Sequence, residues 1–595
     1  ESGEPLVGVT VMVKNTTTGT TTDAQGHFQL SVEPGATLVF SYLGYNTQEI
    51  AVGNKTSLKV ALQDNSQNID EVVVVAYGTQ KKVSVTGSVS SVQTKELKQS
   101  SSANLSTALA GRLSGLPSLQ QGGGQPGKDQ STLMLRGAAT INGTSPLILI
   151  DGMEGNMNML NPNDIESISV LKDAAASSIY GSRAPFGVVL ITTKKGKAEK
   201  VNINYNNSFR WSEAINLPDV ADAYTYAMYF NKMQLNDGKT AVQFDDTRLQ
   251  AIKDYASGTI TTTTQPNRNT PTIWDWIGNT NTDWYDVVFG GTAFSQEHSL
   301  SVSGGTEKIQ YYFSGNYMGQ EGMMAIRRDK LQRYSVSSKI NAQLYPWLNM
   351  NYSMKYMRKD YSKPTAMTDN TLYQNIAKRW PMEPTVDPNG YPMGNTIIRP
   401  ILYGGDNNSQ TDWLYQQFQV VIEPIKDWKI FGEINYKVID AFTHTDYLKV
   451  PQMNVAGEPY SGDTWKTSKV TEGAERTNYF NANVYSEYYR SFADAHHLKA
   501  MVGFQAEVNK WRQLQASKLD LISESVPSIN AATGESTIDK SKLTHWATAG
   551  FFGRLNYDYK ERYLLEVNLR YDGTSRFAKD KRWNLFPSFS AGWNV

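Results

Sequence analysis

The chain beyond residue 200 is dominated by stretches in which apolar and polar side chains alternate. From Tyr563 to Tyr571, the odd-numbered residues are aromatic or aliphatic, and the even-numbered residues are Glu, Asn and Arg. Because successive side chains of a β-strand point to opposite faces, this alternation predicts strands with one apolar and one polar face. The pattern recurs at 551–559 and 309–317, and more weakly at 336–344. We count about a dozen such segments, each suited to a membrane-type strand.

The connections between these segments alternate in length. Short links are expected at 304–307, 345–347, 424–427, 491–496 and 559–561, and long ones at 211–293, 358–411, 448–477 and 511–543. A transmembrane β-barrel places short turns at one end and long loops at the other, whereas a soluble sandwich has no reason to do so. A dozen strands is roughly half of the 22 found in plugged outer-membrane transporters, so we expect this chain to be part of a longer protein.

The first sixty residues predict a small β domain. A stripe of alternating valines is followed by a polar turn and by further strands with apolar residues on one face. The stripe is Val7, Val9, Val11 and Val13, the second strand carries Phe28, Leu30 and Val32, and two more strands are expected at 37–42 and 57–62.

A run of β-branched residues follows a polar spacer at 63–67. The run comprises Asp70, Glu71, Val72, Val73, Val74, Val75, Ala76, Tyr77 and Gly78. Such a segment needs a partner for its backbone and for its apolar side chains. It is either an ordinary buried strand or a segment that pairs with another protein by strand addition, and the residues alone leave both interpretations open.

The stretch from 145 to 196 predicts a compact folded unit. Leu147–Ile150 is an apolar strand that is closed by the turn pair Asp151-Gly152, and Gly187–Thr193 gives a last strand. Between them, Asp173 stands before three alanines, where its carboxylate can cap free backbone N–H groups. Gly181 follows where such a helix is expected to stop.

Three motifs in this stretch carry a family resemblance. They are LILIDG at 147–152, NPNDIESISVLKDAAASSIYGSRA at 161–184 and GVVLITTKKG at 187–196. Together they resemble the plug of SusC-like TonB-dependent outer-membrane transporters. The resemblance implies a mainly β fold with four parts: a carboxypeptidase-regulatory-like β-sandwich at 1–63, a linker with the Ton box at 64–80, an α+β plug at 81–200, and the first half of a large antiparallel transmembrane β-barrel at 201–595.

The resemblance also implies a function and its partners. A SusC-like protein imports oligosaccharides across the outer membrane of a Gram-negative bacterium, with a SusD-like lipoprotein as a lid. TonB, driven by the inner-membrane proton gradient, pulls the Ton box, here Asp70 to Gly78, and the N-terminal domain is periplasmic. Three alternatives stay open: a peptide importer of the same family, a siderophore or cobalamin receptor, and a surface glycan-binding adhesin without a pore.

Composition narrows the remaining function classes. The 57 basic and 57 acidic residues balance, so no global field favours nucleic acid. There is no Cys, and no metal-ligand spacing or hydrolase motif stands out. We therefore expect no enzyme and no cofactor, although the oxygen-rich segment 406–408 leaves Ca²⁺ open.

The long connections carry aromatic and amide side chains that suit sugar recognition, because aromatic faces stack on sugar rings. The candidate substrate-binding residues are Trp274, Trp276, Trp284, Asn370, Tyr373, Gln374, Trp380 and Tyr403. The alternative interpretation is that these aromatic residues pack the loops themselves, and we favour it for most of them.

Overall fold

The computed structural model describes residues 5–594, except 15, 17, 43–44, 46, 54, 63–71, 76–77, 82–83, 94–95, 97–103, 114, 121–124, 128–129, 136–144, 394–396, 461–465 and 494. The described strands are β1 (Thr10–Val13), β2 (Gly19–Thr21), β3 (Thr37–Ser41), β4 (Gln48–Ala51), β5 (Val72–Val75), β6 (Gly78–Lys81), β7 (Val89–Gln93), β8 (Ser118–Gln120), β9 (Ser131–Leu133), β10 (Leu147–Ile150), β11 (Met153–Glu154), β12 (Ile165–Leu171), β13 (Val188–Thr193), β14 (Asn202–Ser212), β15 (Ala293–Gly305), β16 (Ile309–Glu321), β17 (Lys330–Tyr345), β18 (Leu348–Pro364), β19 (Asp406–Ile425), β20 (Trp428–Tyr447), β21 (Gln452–Met453), β22 (Pro459–Tyr460), β23 (Lys469–Phe492), β24 (His496–Leu519), β25 (Ser536–Tyr559), β26 (Tyr563–Thr574) and β27 (Trp583–Trp593). The α-helices are α1 (Leu105–Ala108), α2 (Ala174–Ser177), α3 (Ala223–Asn236), α4 (Asp246–Ala256), α5 (Trp284–Phe289), α6 (Asp369–Ala377) and α7 (Ile398–Tyr403).

The chain divides into two compact units, of which the first comprises Glu1–Val73 and Thr79–Val85. Its main sheet is antiparallel in the order β2-β1-β3-β4. Val11 and Phe40 are register partners in the centre of this sheet, and both are buried. The predicted valine stripe is thus confirmed for Val9 and Val11, whereas Val7 is exposed.

Two segments of the first unit differ from the expected strands. Residues 28–32 and 57–62 alternate between half-buried and exposed side chains and pack their apolar residues on the core, but neither is a ladder-paired strand. A short strand forms instead at Gly19–Thr21, inside the stretch that we expected to be a turn. Alternation of apolar residues identifies which face of an extended segment packs on the core. It does not show whether the backbone of that segment hydrogen-bonds to a neighbouring strand.

The second unit comprises Val74–Gly78 and Thr86–Val595 and contains the plug and the large sheet. The plug sheet has the order β11-β10-β13-β12-β7, in which β10 and β13 run parallel. The expected cap is confirmed, because a carboxylate oxygen of Asp173 accepts the backbone N–H of Ala176 at 2.7 Å. Gly181 has a φ of 57° and breaks the helical turns that follow α2.

The large sheet is antiparallel and twelve-stranded, in the order β14-β15-β16-β17-β18-β19-β20-β23-β24-β25-β26-β27. Its short connections at 306–308, 346–347, 426–427, 493–495 and 560–562 share one end, here called the turn end, and the long connections share the other, here called the loop end. Several strands run farther toward the loop end than expected: β18 reaches Pro364, β19 begins at Asp406 and β24 reaches Leu519.

The side-chain parity of the large sheet agrees with the sequence pattern. On β26, Glu566, Asn568 and Arg570 are buried on the face toward the plug, here called the inner face, while Leu565 and Leu569 are exposed on the outer face. The strands at 309–317 and 551–559 show the same division. This arrangement is that of a membrane barrel wall, with an apolar outer and a polar inner surface.

Aromatic side chains mark two levels on the outer face. Trp428 of β20 is the register partner of Tyr488 of β23 near the turn end, and Tyr436 is the partner of Phe480 farther along. The two pairs are separated by eight residues on each strand, which corresponds to about 26 Å along the strand and to roughly 20 Å of height at a strand tilt of about 40°. An apolar band of about 25 Å between two aromatic girdles is typical of outer-membrane barrels.

We expect Val567→Arg to destabilise the wall, because the outer-face position lies within the apolar band. An arginine near the middle of the band costs about 2–4 kcal/mol in the free energy of unfolding. The matched control is Ser588→Arg, since Ser588 is the register partner of Asn568 and shares the inner face. Denaturant titration of the full-length protein refolded in lipid would measure both variants, and equal losses would contradict the assignment of the two faces.

Candidate functional site at the plug and wall interface

A tight turn of the plug brings a carboxylate to the wall. Asp151 and Gly152 connect β10 to β11, and both have positive φ values, of 48° and 91°. Two consecutive positive φ values are characteristic of a type I′ hairpin turn, for which Asp-Gly is among the preferred sequences. The turn places the side chain of Asp151 at the inner face of β17 and β18.

Asp151 binds two lysines of the wall and one threonine of the plug. Its carboxylate accepts from the Nζ of Lys339 at 3.1 Å and from the Nζ of Lys355 at 2.7 Å. The hydroxyl and the backbone N–H of Thr193 also donate to it, at 2.6 and 2.9 Å. Burial alone would raise the pKa of Asp151, but the two lysine charges outweigh burial and hold this pKa well below its ordinary value.

Asp164 is a second buried carboxylate at the interface, but hydroxyl groups hydrogen-bond to it instead of ammonium groups. The hydroxyl of Tyr312 donates to one oxygen at 2.7 Å, and that of Ser314 donates to the other at 2.8 Å. Burial raises the pKa of Asp164 above its ordinary value, because these hydrogen bonds only partly offset the loss of water. The plug thus contacts the wall through two aspartates with opposite pKa shifts.

Arg183 forms the second ionic contact between the plug and the wall. One guanidinium nitrogen lies 2.5 Å from Glu154 of the plug, and the other lies 3.2 Å from Glu507 of β24. Burial alone would lower the pKa of Arg183, but the Glu507 carboxylate outweighs it, and the pKa lies above its ordinary value. The hydroxyl of Tyr479 also donates to Glu507, so this carboxylate is shared between plug and wall.

Gly181 lets the plug backbone approach β26 closely. A Cβ atom at Gly181 would lie 2.0 Å from a carboxylate oxygen of Asp572 and 2.9 Å from the Cδ of Arg570. The guanidinium of Arg570 in turn donates to the backbone carbonyl of Ile179 at 2.8 Å. Any other residue at 181 would push the plug away from this strand.

Apolar side chains fill the space between these polar contacts. One cluster joins Ile150, Met157 and other plug residues to Met357 and Tyr415 of the wall. A second cluster joins plug residues such as Ile179 to wall residues that include Tyr485, Met501 and Phe552. The plug and the wall therefore pack against each other through two common apolar clusters.

A cavity of about 340 Å³ lies beside the Asp-Gly turn. Besides Asp151 and Lys339, it is lined by Lys195 and by amide side chains of the wall. These amides are Gln310, Asn341, Asn351, Gln417 and Gln419. Several of them hydrogen-bond to one another, as Asn351 does to Gln419 at 3.1 Å, so neutral amides form much of this polar lining beside the charged groups.

The long connections fold into structured caps around their own aromatic residues. Trp284 is only 2% exposed and packs in a cluster with α6 and α7. The ring of Trp380 lies 4.7 Å from that of Phe230 on α3 and 5.0 Å from that of Trp276. Trp274 is half-buried. For Trp284 and Trp380 these contacts favour loop packing, which was our preferred interpretation for most of the candidates.

The remaining candidate substrate residues are only partly described. Trp276 and Tyr403 are 36% and 49% exposed, and Gln374 is exposed on α6. Asn370 and Tyr373 lie on the same helix, but their side chains fall outside the described part of the chain. Among the described candidates, Trp276 lies beside Trp380, and the indole N–H of Trp284 donates to the Trp380 carbonyl at 3.2 Å. The role of the eight residues in binding stays a prediction.

The expected Ton box is described in part. Val72–Val75 and Gly78 are in strands, whereas Asp70, Glu71, Ala76 and Tyr77 lie outside the described residues. The strands β5 and β6 form a two-stranded sheet. A Cβ atom at Gly78 would lie 3.8 Å from the Nζ of Lys499 and 3.9 Å from a carboxylate oxygen of Glu487, so Gly78 is close to the turn end of the wall.

Neither a metal centre nor a membrane-spanning helix is found in the described ranges. Among these residues, no three His, Asp or Glu side chains are grouped as a metal ion would require. None of the helices described above is long and apolar enough to cross a membrane.

Comparison with known proteins assigns the three parts of the chain. Residues 1–74 match the CarboxypepD_reg-like domain, residues 81–188 match the TonB-dependent Receptor Plug Domain, and residues 351–595 match the TonB dependent receptor-like, beta-barrel. The chain belongs to the SusC-like TonB-dependent receptors. The expected family and fold class are thereby confirmed.

Two relatives and one solved structure illustrate this membership. The chain is 30% identical to the TonB-dependent receptor SusC of Bacteroides thetaiotaomicron, over all of this chain and 57% of the relative. It is also 30% identical to the TonB-dependent receptor P3 of Formosa agariphila, over 56% of that protein. The RagAB peptide transporter has the same fold, with a TM-score of 0.72 and 23% identity over 86% of this chain and 58% of that chain. The chain thus spans little more than half the length of these relatives.

The wall residues that hold the plug of this receptor were not predicted from the sequence. Asp151 was identified only as a turn residue, and Lys339 and Lys355 were not singled out. A signal was present, because both lysines lie at inner-face positions of alternating strands, where a buried charge needs a partner. Arg183 was part of the family motif, but its partner Glu507 is 324 residues away in the sequence, by the difference of their numbers.

We expect Asp151→Asn to destabilise the seated plug by about 3–5 kcal/mol in the free energy of unfolding, because two buried ammonium groups would lose their counter-charge. Asp164→Asn is the matched control and should cost less than about 2 kcal/mol, since the side-chain donors to this carboxylate are hydroxyl groups rather than ammonium groups. Denaturant titration of the full-length protein, followed by tryptophan fluorescence, would measure both variants.

A second variant checks the cause of the loss. Adding Lys355→Met to Asp151→Asn should restore part of the stability, because it removes one of the orphaned charges. Since the pKa of Asp151 is depressed in the folded protein, its stabilisation is present above the ordinary carboxyl pKa of about 4 and is lost only as the pH falls toward the lower, folded value. Equal losses for Asp151→Asn and Asp164→Asn would show that the ion pairs do not hold the plug.

Proposed function

We propose that this chain is the plug-bearing part of an outer-membrane importer that takes up oligosaccharides with a SusD-like lipoprotein and is energised by TonB. The observation that carries the proposal is the seat of the plug, a folded domain held to the inner face of a barrel wall by ionic contacts and by shared apolar clusters. Such a seat closes a pore at rest and can be undone by a pulling force.

The cavity beside Asp151 supports an import route at this place. It lies between the plug and the wall, and neutral amide side chains line much of it. If the Asp-Gly turn moved away, this polar surface would become continuous with the space that the turn had filled. Amides donate and accept hydrogen bonds, so they suit a hydroxyl-rich or peptide cargo that must exchange its water for protein groups.

The segment before the plug supports the proposed contact with TonB. Within the described residues, β5 pairs with β6 and with no other strand, so its second edge is open to a further strand. An open edge with β-branched side chains is what strand addition requires. The Ton box assignment to Asp70–Gly78 therefore remains our proposal for the transducer-binding strand.

Deleting residues 70–78 should abolish uptake and leave the outer-membrane level and ligand binding unchanged, because the deletion removes the pulling handle and spares the plug. The measurement is accumulation of labelled substrate in cells that carry the full-length transporter. The control deletes the polar spacer at 63–67, which should reduce uptake much less. Unimpaired uptake without residues 70–78 would refute the assignment.

The cargo is proposed to be a glycan rather than a peptide. The balanced charge of the chain suits an uncharged ligand, and the exposed rings of Trp276 and Tyr403 offer faces for sugar stacking. Peptides could use the same groups, so the preference rests on neutrality and on the exposed aromatic rings.

Calorimetry of the full-length transporter with its lid lipoprotein, against neutral oligosaccharides and oligopeptides, would decide the cargo. We expect binding to oligosaccharides, and a weakening of about two- to tenfold in Trp276→Ala through loss of one stacking surface. Trp284→Phe is the control, because this ring is buried in the loop. Binding of peptides alone would refute the glycan assignment, and binding without liposome uptake would indicate an adhesin.

A further inference from the structure

Basic side chains gather on the outer face of β23, β24 and β25, on the loop side of the aromatic pair Tyr436 and Phe480. Arg476 and Arg512 are register partners there, and Lys510 is the register partner of His545. On β24 the even-numbered Val502 and Phe504 are exposed on the outer face, whereas the odd-numbered Glu507 is buried on the inner face. Arg512 and Lys510 therefore share the outer face with the apolar band.

The arrangement of these charges is unfavourable without an anion. Like charges directly opposite each other on neighbouring strands destabilise a sheet. Arg476 has a partial counter-charge in Asp440, 3.5 Å away. Within the part of the chain that the structure describes, Lys510, Arg512 and His545 form no ion pair with a carboxylate, and Lys510 and Arg512 are exposed. The cluster thus presents a net positive surface.

An apolar groove of about 420 Å³ lies directly below this basic cluster. Small side chains form its floor, and aromatic rings border it at Phe480 and Trp583; the floor is Ala506, Val508, Ala547 and Ala549. A Cβ atom at Gly573 would lie 2.5 Å from the indole ring of Trp583, so this glycine lets the indole lie flat as one wall of the groove. Glu507, Arg582 and three hydroxyl residues complete the lining, and the groove is otherwise an exposed apolar slot on the outer surface.

The height of the cluster matches that of lipid headgroups. Arg476 lies twelve residues before Tyr488 on β23, by the difference of their numbers, which is about 40 Å along the strand. With a strand tilt of about 40°, the rise above the aromatic pair at the turn end is roughly 30 Å, close to the thickness of a hydrocarbon core. The groove then lies at the level of acyl chains, and the basic side chains lie at the level of phosphates.

We propose that this surface binds a phosphate-bearing lipid of the outer leaflet, with the phosphate between Arg476, Lys510 and Arg512 and one acyl chain in the groove. The proposal rests on the membrane placement in the proposed function. Charge complementarity selects an anionic headgroup, and the adjoining apolar groove selects a lipid over a free phosphate ion. Bound phosphate would also neutralise the opposed arginines and so stabilise the register of β23 and β24.

Native mass spectrometry of the full-length protein in detergent tests the proposal, with phosphatidic acid as the probe and diacylglycerol and inorganic phosphate as comparison ligands. We expect phosphatidic acid to bind, and the double variant Lys510→Gln/Arg512→Gln to bind it about 30-fold more weakly, because each basic group near a headgroup contributes about 1 kcal/mol. Ala547→Leu, which fills the groove, should weaken binding about tenfold by excluding acyl carbons.

Two controls keep the outcome decisive. Lys542→Gln removes a charge near the same height on the inner face and should change nothing, and the charge-conserving Arg512→Lys should retain most of the binding. Equal binding of phosphatidic acid by the wild type and the double variant, or equal affinity for diacylglycerol or for inorganic phosphate, would overturn the proposal. Because lipid retention does not involve uptake, loss of transport with retained lipid would refute the proposed function alone.

Discussion

The structure depends on one buried carboxylate that faces two ammonium groups. Asp151 can reach Lys339 and Lys355 only because the Asp-Gly turn adopts positive φ values and because Thr193 holds the carboxylate from the plug side. The wall must in turn place two lysines on neighbouring strands at inner-face positions. The turn, the register of β17 against β18 and the seating of the plug are therefore specified together, and a fault in any one leaves charge buried without a partner.

The plug contacts the wall through ionic pairs, hydroxyl hydrogen bonds and apolar clusters. This mixture suits a plug that must stay seated at rest and move when it is pulled. Hydroxyl hydrogen bonds, such as those to Asp164, are directional but have uncharged donors, whereas the apolar clusters give contact area with little directional preference. The ionic contacts of Asp151 and Arg183 are few and geometrically demanding. A plug held in this way combines broad apolar contact with ionic contacts of fixed geometry, and its release has to break both.

The sequence predicted the strands of the wall better than the ion pairs that hold the plug to it. The alternation at 563–571 located both faces, because a membrane imposes a strict difference between them. The same signal fails where strands leave the membrane, since both faces are then polar, and so the first residues of β23 and the last of β24 were assigned to loops. The pairing of Asp151 with Lys339 and Lys355 spans 188 and 204 residues, and no local pattern encodes it. Composition alone does not separate the aromatic candidates into packing and ligand-binding residues, because buried and ligand-binding rings are the same residue types.

The length of the central strands has a consequence for the cell surface. β23, β24 and β25 each have 24 residues, or about 80 Å of strand, whereas a membrane with an apolar band of about 25 Å accounts for less than half of that even with tilt. On the proposed placement, the remaining part of these strands extends beyond the membrane as a continuous hydrogen-bonded sheet. Phages, antibodies and lid proteins that approach the bacterium would then contact a rigid sheet rather than mobile loops. Their binding would not include the entropy cost of ordering such loops.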